Sequence, residues 1–242
     1  MLGYIYKEIK TNKLILSVMF GLMLFFNIFL LSTTIGEDKI DEGMIYYAIF
    51  FIMTGSSFLV IGMCASGLVQ TDERKKWGYY NAAAPHGIKL QVGSIYIIIL
   101  SALVCCFCIS FVINIIMRKI TPDTPNVTGM MIAIALLVLL LRAIELPFFY
   151  AFGSKVGGLV KALLLFVVIF IAALYFLFAD LSWLGSQDEV IEKFIEFLSG
   201  ISAKTLWNSI FGKILISAVP LYAVSYFIST KVYLKGIDRL EK

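Results

Sequence analysis

Residues 43–69 and 90–117 carry no charged side chain. In a helix, about 20 apolar residues cross the roughly 30 Å hydrocarbon core of a bilayer, so each run is long enough to span one. Inside hydrocarbon the backbone N–H and C=O groups must be satisfied internally, which makes such runs helices. Four more stretches qualify, 14–33, 129–152, 156–178 and 206–230. Lys161 and Lys213 lie in outer turns of the last two, where a long stem lets the ammonium snorkel to the headgroups. Hydrophobic residues make up 60% of the chain and charged ones 15%, against about 45–50% and about 25% in soluble domains. The expected fold is an all-α integral membrane protein. It has six transmembrane helices in a single transmembrane domain over residues 1–242. The net charge of +4 is small and scattered, which argues against a nucleic-acid partner.

Lysine and arginine orient the spans, because cytoplasmic loops carry the excess. Lys7, Lys10, Lys13, Arg74, Lys75, Lys76, Lys89, Lys155, Lys161, Lys231, Lys235, Arg239 and Lys242 fall on one side of a six-span plan. Only Lys39, Arg118, Lys119, Lys193 and Lys204 fall on the other. Both termini and the segment 70–91 are therefore expected to be cytoplasmic, and 180–204 external. The first apolar run is long and no small-residue cleavage site follows it, so it reads as a retained anchor.

Two segments outside the spans are amphipathic. In residues 1–13, Leu2, Ile5, Tyr6 and Ile9 recur at helical spacing, with Lys7, Glu8 and Lys10 elsewhere on the wheel. This predicts an elbow helix on the inner membrane surface. It either anchors only, or also touches a cytosolic partner. In 180–204, Ser186 and Glu189 form a capping-box start. Val190, Ile191, Phe194, Ile195 and Leu198 line one face, with Glu189, Glu192, Lys193 and Glu196 opposite. That short external helix either rests on the membrane or lids an exit with its acidic face toward cationic cargo.

Polar and small residues inside the spans carry further expectations. Asn27 and Asn114 suit interhelical hydrogen bonds, and Pro220 a local bend. Ser17 and Gly21, Gly55–Ser57, and Gly62 with Ala65–Gly67 permit close helix approach. Arg142 and Glu145 stand three apart on one helical face and can pair. A charge within a span costs at least ~2.5 kcal/mol and turns toward protein or water. The pair is either structural, near the inner leaflet, or it lines a path or moves with a bend at Pro147.

Chemistry of other kinds is sparse. The one histidine, His86, lies in the cytoplasmic segment, away from any intramembrane serine–histidine arrangement. Cys64, Cys105, Cys106 and Cys108 sit in apolar runs and read as small core hydrophobes rather than a disulfide or zinc framework. No G-x-x-x-x-G-K-[ST] phosphate loop occurs. No catalytic residue, metal site or bound cofactor is expected, and the chain is not read as an enzyme.

The segment Glu73-Arg74-Lys75-Lys76-Trp77-Gly78-Tyr79-Tyr80, followed by Ala84-Pro85, resembles the E-x-x-x-W-x-x-Y … L-P signature of ABC type-2 permeases of bacterial exporters. Leu146-Pro147-Phe148-Phe149-Tyr150-Ala151-Phe152-Gly153 resembles that family's P-x-x-Y-x-F-G stretch before the fifth span. Alanine stands at position 84 where the family usually has leucine, and glycine at 78 where aspartate is common. The resemblance covers nearly the whole chain. It implies a multi-pass permease of a bacterial cell membrane that dimerises with a second copy and binds two copies of a separate ABC ATPase, where ATP and magnesium reside. Segment 70–91 then looks like the coupling element. Trp77 and Tyr80 would be its aromatic anchor, Glu73, Arg74 and Lys76 its charged rim, and Pro85 its exit, while Pro147 and Gly153 would act as a hinge. Size and composition are similar to permeases that export small amphipathic peptides such as phenol-soluble modulins. Related permeases serve lantibiotic immunity or drug efflux. From another class, a membrane scaffold or secondary transporter remains open, although no convincing internal repeat supports the latter.

Overall fold

The computed structural model describes residues 1–35, 43–74, 84, 86–120, 127–178 and 208–239. All regular structure among these residues is helical: α1 (Leu2–Thr11), α2 (Lys13–Ile35), α3 (Gly43–Arg74), α4 (Gly87–Ile120), α5 (Thr128–Phe178), α6 (Ile210–Ile216) and α7 (Ala218–Arg239). Among the described residues, four of the six expected stretches stand out as long and apolar enough to cross a membrane, Lys13–Ser32, Gly87–Ile120, Thr128–Gly153 and Gly212–Tyr233, with a shorter apolar stretch, Ile49–Ile61, in α3.

One residue separates α1 from α2, and its chemistry makes the joint. The backbone N–H and side-chain amide of Asn12 both donate to the Glu8 carbonyl, at 3.0 and 3.1 Å. The Asn12 carbonyl accepts from the Leu16 N–H at 3.0 Å. Asn12 thus closes one helix and opens the next. Leu2, Tyr6 and Ile9 of α1 are exposed, as expected of a lipid-facing stripe, and Ile5 packs on the core. Glu8 departs from the helical-wheel expectation. It is fully buried, because α4 supplies a partner for its carboxylate.

Asn27 fastens the α2–α3–α4 side. Its amide nitrogen donates to Ser57 Oγ at 3.2 Å and to the Met23 carbonyl at 2.8 Å. Its oxygen accepts from Ser110 Oγ at 2.9 Å. All three side chains are buried, and an interhelical bond of this kind contributes roughly 0.6–2 kcal/mol in a membrane protein. Asn114 reaches Thr128 Oγ1 of α5 at 3.4 Å. Of the small residues, Gly67 lies close to Ile15 of α2, while nothing among the described residues stands over Gly21 or Gly55. Cys106 is buried but Cys105 and Cys108 are exposed, so the core reading fits only the first. Consecutive positions on a helix cannot all face inward.

The runs 129–152 and 156–178 join end to end as α5, interrupted at Gly153, where φ is 79° and ψ 165°. Only glycine adopts this backbone region readily. Eight residues of straight helix rise about 12 Å. Yet a methyl added at Gly157 would lie 2.6 Å from Phe149 Cδ1 and 3.0 Å from its Cα. The chain therefore turns sharply at Gly153 and lays its next turn on Phe149. Pro147 sits inside the helix without ending it.

Pro220 lies in the first turn of α7, just past Ser217, where the span Gly212–Tyr233 breaks into α6 and α7 while Ser217 keeps helical φ −62° and ψ −13°, in keeping with a local bend. Proline has no N–H to give the carbonyl four residues back, and its ring crowds that carbonyl; here that is Ile216, where α6 stops. Ser209 caps α6 by accepting from the Gly212 N–H at 2.9 Å. The core runs through Phe50, Phe58, Ile95, Ile99, Met130, Leu146 and Phe149, and α7 packs chiefly along α5.

Candidate functional site

Three polar assemblies are built into this apolar framework. The first is on α5. Arg142 and Glu145 form a buried ion pair through Nη1 and Oε2. Their spacing places both heads on one face, and Tyr222 of α7 lies within electrostatic reach of Arg142. Two ions at this depth are tolerable because each offsets the other's lost hydration.

The second assembly adjoins the first. Tyr222 Oη donates to the Tyr96 carbonyl at 2.9 Å, and the two rings stand 4.9 Å apart. Tyr96 Oη lies between Ser225 Oγ at 2.7 Å and Ser229 Oγ at 2.8 Å. Tyr226 packs edge-on against Tyr96 and donates to the Lys89 carbonyl at 3.3 Å. Further along, the Tyr233 ring lies 5.5 Å from that of Tyr150. This seam fixes α7 to α4 and α5. Sequence analysis missed it, although Tyr222, Ser225, Tyr226, Ser229 and Tyr233 recur at i, i+3, i+4, i+7 and i+11, a polar stripe on one helical face.

The third assembly flanks the segment 75–83. Helix α3 runs to Arg74, so Glu73 and Arg74 occupy its last turn. Before α4, the Gly87 N–H donates to the Ala84 carbonyl at 2.9 Å, and exposed His86 adopts φ 59°. One turn into α4, Gln91 Nε2 donates to Glu8 Oε1 at 2.8 Å. Lys7 Nζ contacts Glu8 Oε1 at 3.0 Å and donates to Gln91 Oε1 at 3.1 Å. Asn12 Nδ2 donates to Glu8 Oε2 at 3.1 Å. Neither Glu8 nor Gln91 was expected here. The only sequence hint was Glu8 and Asn12 four apart.

The sequence-expected residues divide accordingly. Arg142 and Glu145 come together, with Pro147 and Gly153 following on the same helix. Lys76, Trp77, Tyr80 and Pro85, and the acidic trio Glu189, Glu192 and Glu196, lie outside the described residues.

Long apolar helices, joined internally by buried polar groups and carrying a broad apolar exterior, define a multi-pass membrane protein. The chain belongs to the ABC-2 family of transporter permeases: the family model described as ABC-2 family transporter protein matches residues 5–234. Membership makes it a membrane transport component and implies an ABC ATPase partner. No curated protein and no solved structure matches it.

Proposed function

We propose that this chain is the permease subunit of an ATP-driven exporter in a bacterial cell membrane, moving amphipathic peptides or similar hydrophobic cargo outward. Six spans with both termini cytoplasmic would form one half of the path, and a second copy the other half. Two ATPase subunits, holding ATP and magnesium, would grip segment 70–91 through Trp77 and Tyr80, with Glu73, Arg74 and Lys76 at the rim and Pro85 at the exit. Rigid aromatic side chains in a pocket dominate the energetics of such contacts. Closure of the ATPases would push this segment and tilt α3 and α4, exchanging inward for outward access. Pro147 and Gly153 would let α5 bend beside Arg142 and Glu145. Glu189, Glu192 and Glu196 would meet cationic cargo at the exit.

The family match over residues 5–234 carries this reading. It is supported by the charged, tryptophan-bearing segment between α3 and α4. The test is copurification with the ATPase encoded beside it, followed by ATP hydrolysis assays with and without cationic amphipathic peptides. Trp77→Ala should leave basal hydrolysis intact and abolish its response to peptide. A full response in that variant, or failure of any ATPase to copurify, removes the reading.

A further inference from the structure

Helix α1 packs more extensively on α4 than on α2, although α2 follows it directly in the chain. The contact is tied at both ends. At one, Met1 covers Gly93, its Cε 3.3 Å from where a β-carbon would stand. At the other, fully buried Glu8 accepts from Gln91 and Asn12 and pairs with Lys7, which also reaches Gln91. Lys7, Glu8 and Gln91 therefore form a closed ring across two helices. A contact held this way resists separation, because opening the ring takes from Glu8 its shortest hydrogen bond and from Lys7 the Gln91 oxygen. On its far side, α1 meets α2 through Asn12 alone in sequence, and Asn12 bonds both Glu8 and the first turn of α2.

We propose that Glu8 is a positioning residue that locks α1 to the first turns of α4, so that a push on the 75–85 segment moves α2 together with α4. The proposal rests on the reading of that segment as the ATPase contact, and adds a route by which the push reaches a span on the other side of the elbow. Gln91 sits one turn beyond the start of α4, close to where the push would enter. Lys7, Glu8 and Asn12 then relay it through a joint one residue long. Without the ring, α1 would be free to stay in the membrane surface by its exposed Leu2, Tyr6 and Ile9, and the first turns of α2 would stay with it, while the Asn27–Ser110 bond still ties the farther part of α2 to α4.

The test uses the permease–ATPase complex in nanodiscs with its native cysteines replaced. Spin labels are placed in pairs at the exposed positions Lys10 and Lys89, Lys89 and Lys155, and Leu14 and Lys155. Distances are measured without nucleotide and after trapping with magnesium, ATP and vanadate. The 10–89 distance should stay constant while 89–155 and 14–155 both shift. In Glu8→Ala and Gln91→Leu, 10–89 should broaden and the 14–155 shift should be lost, with the 89–155 shift kept. Glu8→Gln, which keeps an acceptor oxygen for Gln91 but gives up the one for Asn12, should restore most of the 14–155 shift. A changing 10–89 distance in the unsubstituted complex overturns the lock without need of any variant. So does an undiminished 14–155 shift in Glu8→Ala. If vanadate-trapped nucleotide is bound and no pair shifts, the ATPase-contact reading and this proposal fall together.

Discussion

Glu8 and Glu145 are both buried carboxylates beside a cation, yet they are held in opposite ways. Glu145 finds Arg142 on its own helix, three residues away. The pair would persist if α5 were lifted out of the bundle. Glu8 has Lys7 beside it in sequence, but its shortest hydrogen bond, 2.8 Å, comes from Gln91 on another helix. Removing α4 would take that bond away and leave Glu8 to Lys7 and Asn12. One carboxylate therefore serves a helix and the other serves an interface. Their cations differ too: Arg142 is enclosed, whereas Lys7 keeps about a fifth of its side chain exposed and can turn to water.

The contrast breaks most readily at Arg142. Arg142→Met removes the cation beside buried Glu145 and should cost about 3–5 kcal/mol, whereas replacing both members by apolar residues should be nearly neutral. Unfolding of the purified protein in graded SDS micelles measures both. A single variant no costlier than the double would show that the pair is open to water. If the pair also moves with α5, Arg142→Met should depress export beyond its effect on folded yield. Wild-type export per folded molecule would make the pair purely structural.

Gly153→Ala tests whether the pair's setting depends on the break that follows it. A β-carbon at φ 79° should cost about 1–3 kcal/mol. It should also change the distance between spin labels at the exposed positions Ile144 and Lys155, leaving the Lys7–Glu8–Gln91 ring unaffected. Loss of α1 packing in that variant would mean the two regions are coupled.

Glu8→Ala leaves the Gln91 amide without its acceptor and should cost about 1–3 kcal/mol. Unlike Arg142→Met, its effect should be local: faster hydrogen exchange in α1 and the start of α4, with α5 unchanged. Uniform acceleration throughout would contradict an interface role. The smallest effect is expected at Lys7→Met, about 1–2 kcal/mol, because Glu8 loses its cation but keeps the Gln91 and Asn12 amides as donors. A loss as large as that of Arg142→Met would erase the distinction between the two cations.

Legibility in the sequence followed the range of each interaction. Arg142 and Glu145 could be paired from their spacing, because helix geometry alone brings i and i+3 together. Asn27 could be expected to bond across helices, since a lone amide in an apolar run has few other choices, but its partners Ser57 and Ser110 could not be named. Glu8 reads only as part of the wheel away from the apolar stripe, because one helix viewed alone gives a carboxylate no reason to turn inward. The tyrosine–serine stripe of α7 had a readable period but a composition that passed for ordinary membrane helix. Pro220 was read as a bend, and the break just before it at Ser217 is in keeping with that.

By itself the sequence determined that this is an all-helical membrane protein with several apolar spans, and which family motifs it carries. Hydrocarbon imposes those outcomes on each segment separately, since a backbone in lipid must satisfy its own hydrogen bonds. Only the tertiary structure decided that Glu8 turns toward Gln91, that Tyr96 binds Ser225 and Ser229, and that the chain folds back at Gly153 onto Phe149. Those choices depend on which helices stand side by side. Periodicity along one helix identifies a face but carries no information about the neighbour that will meet it.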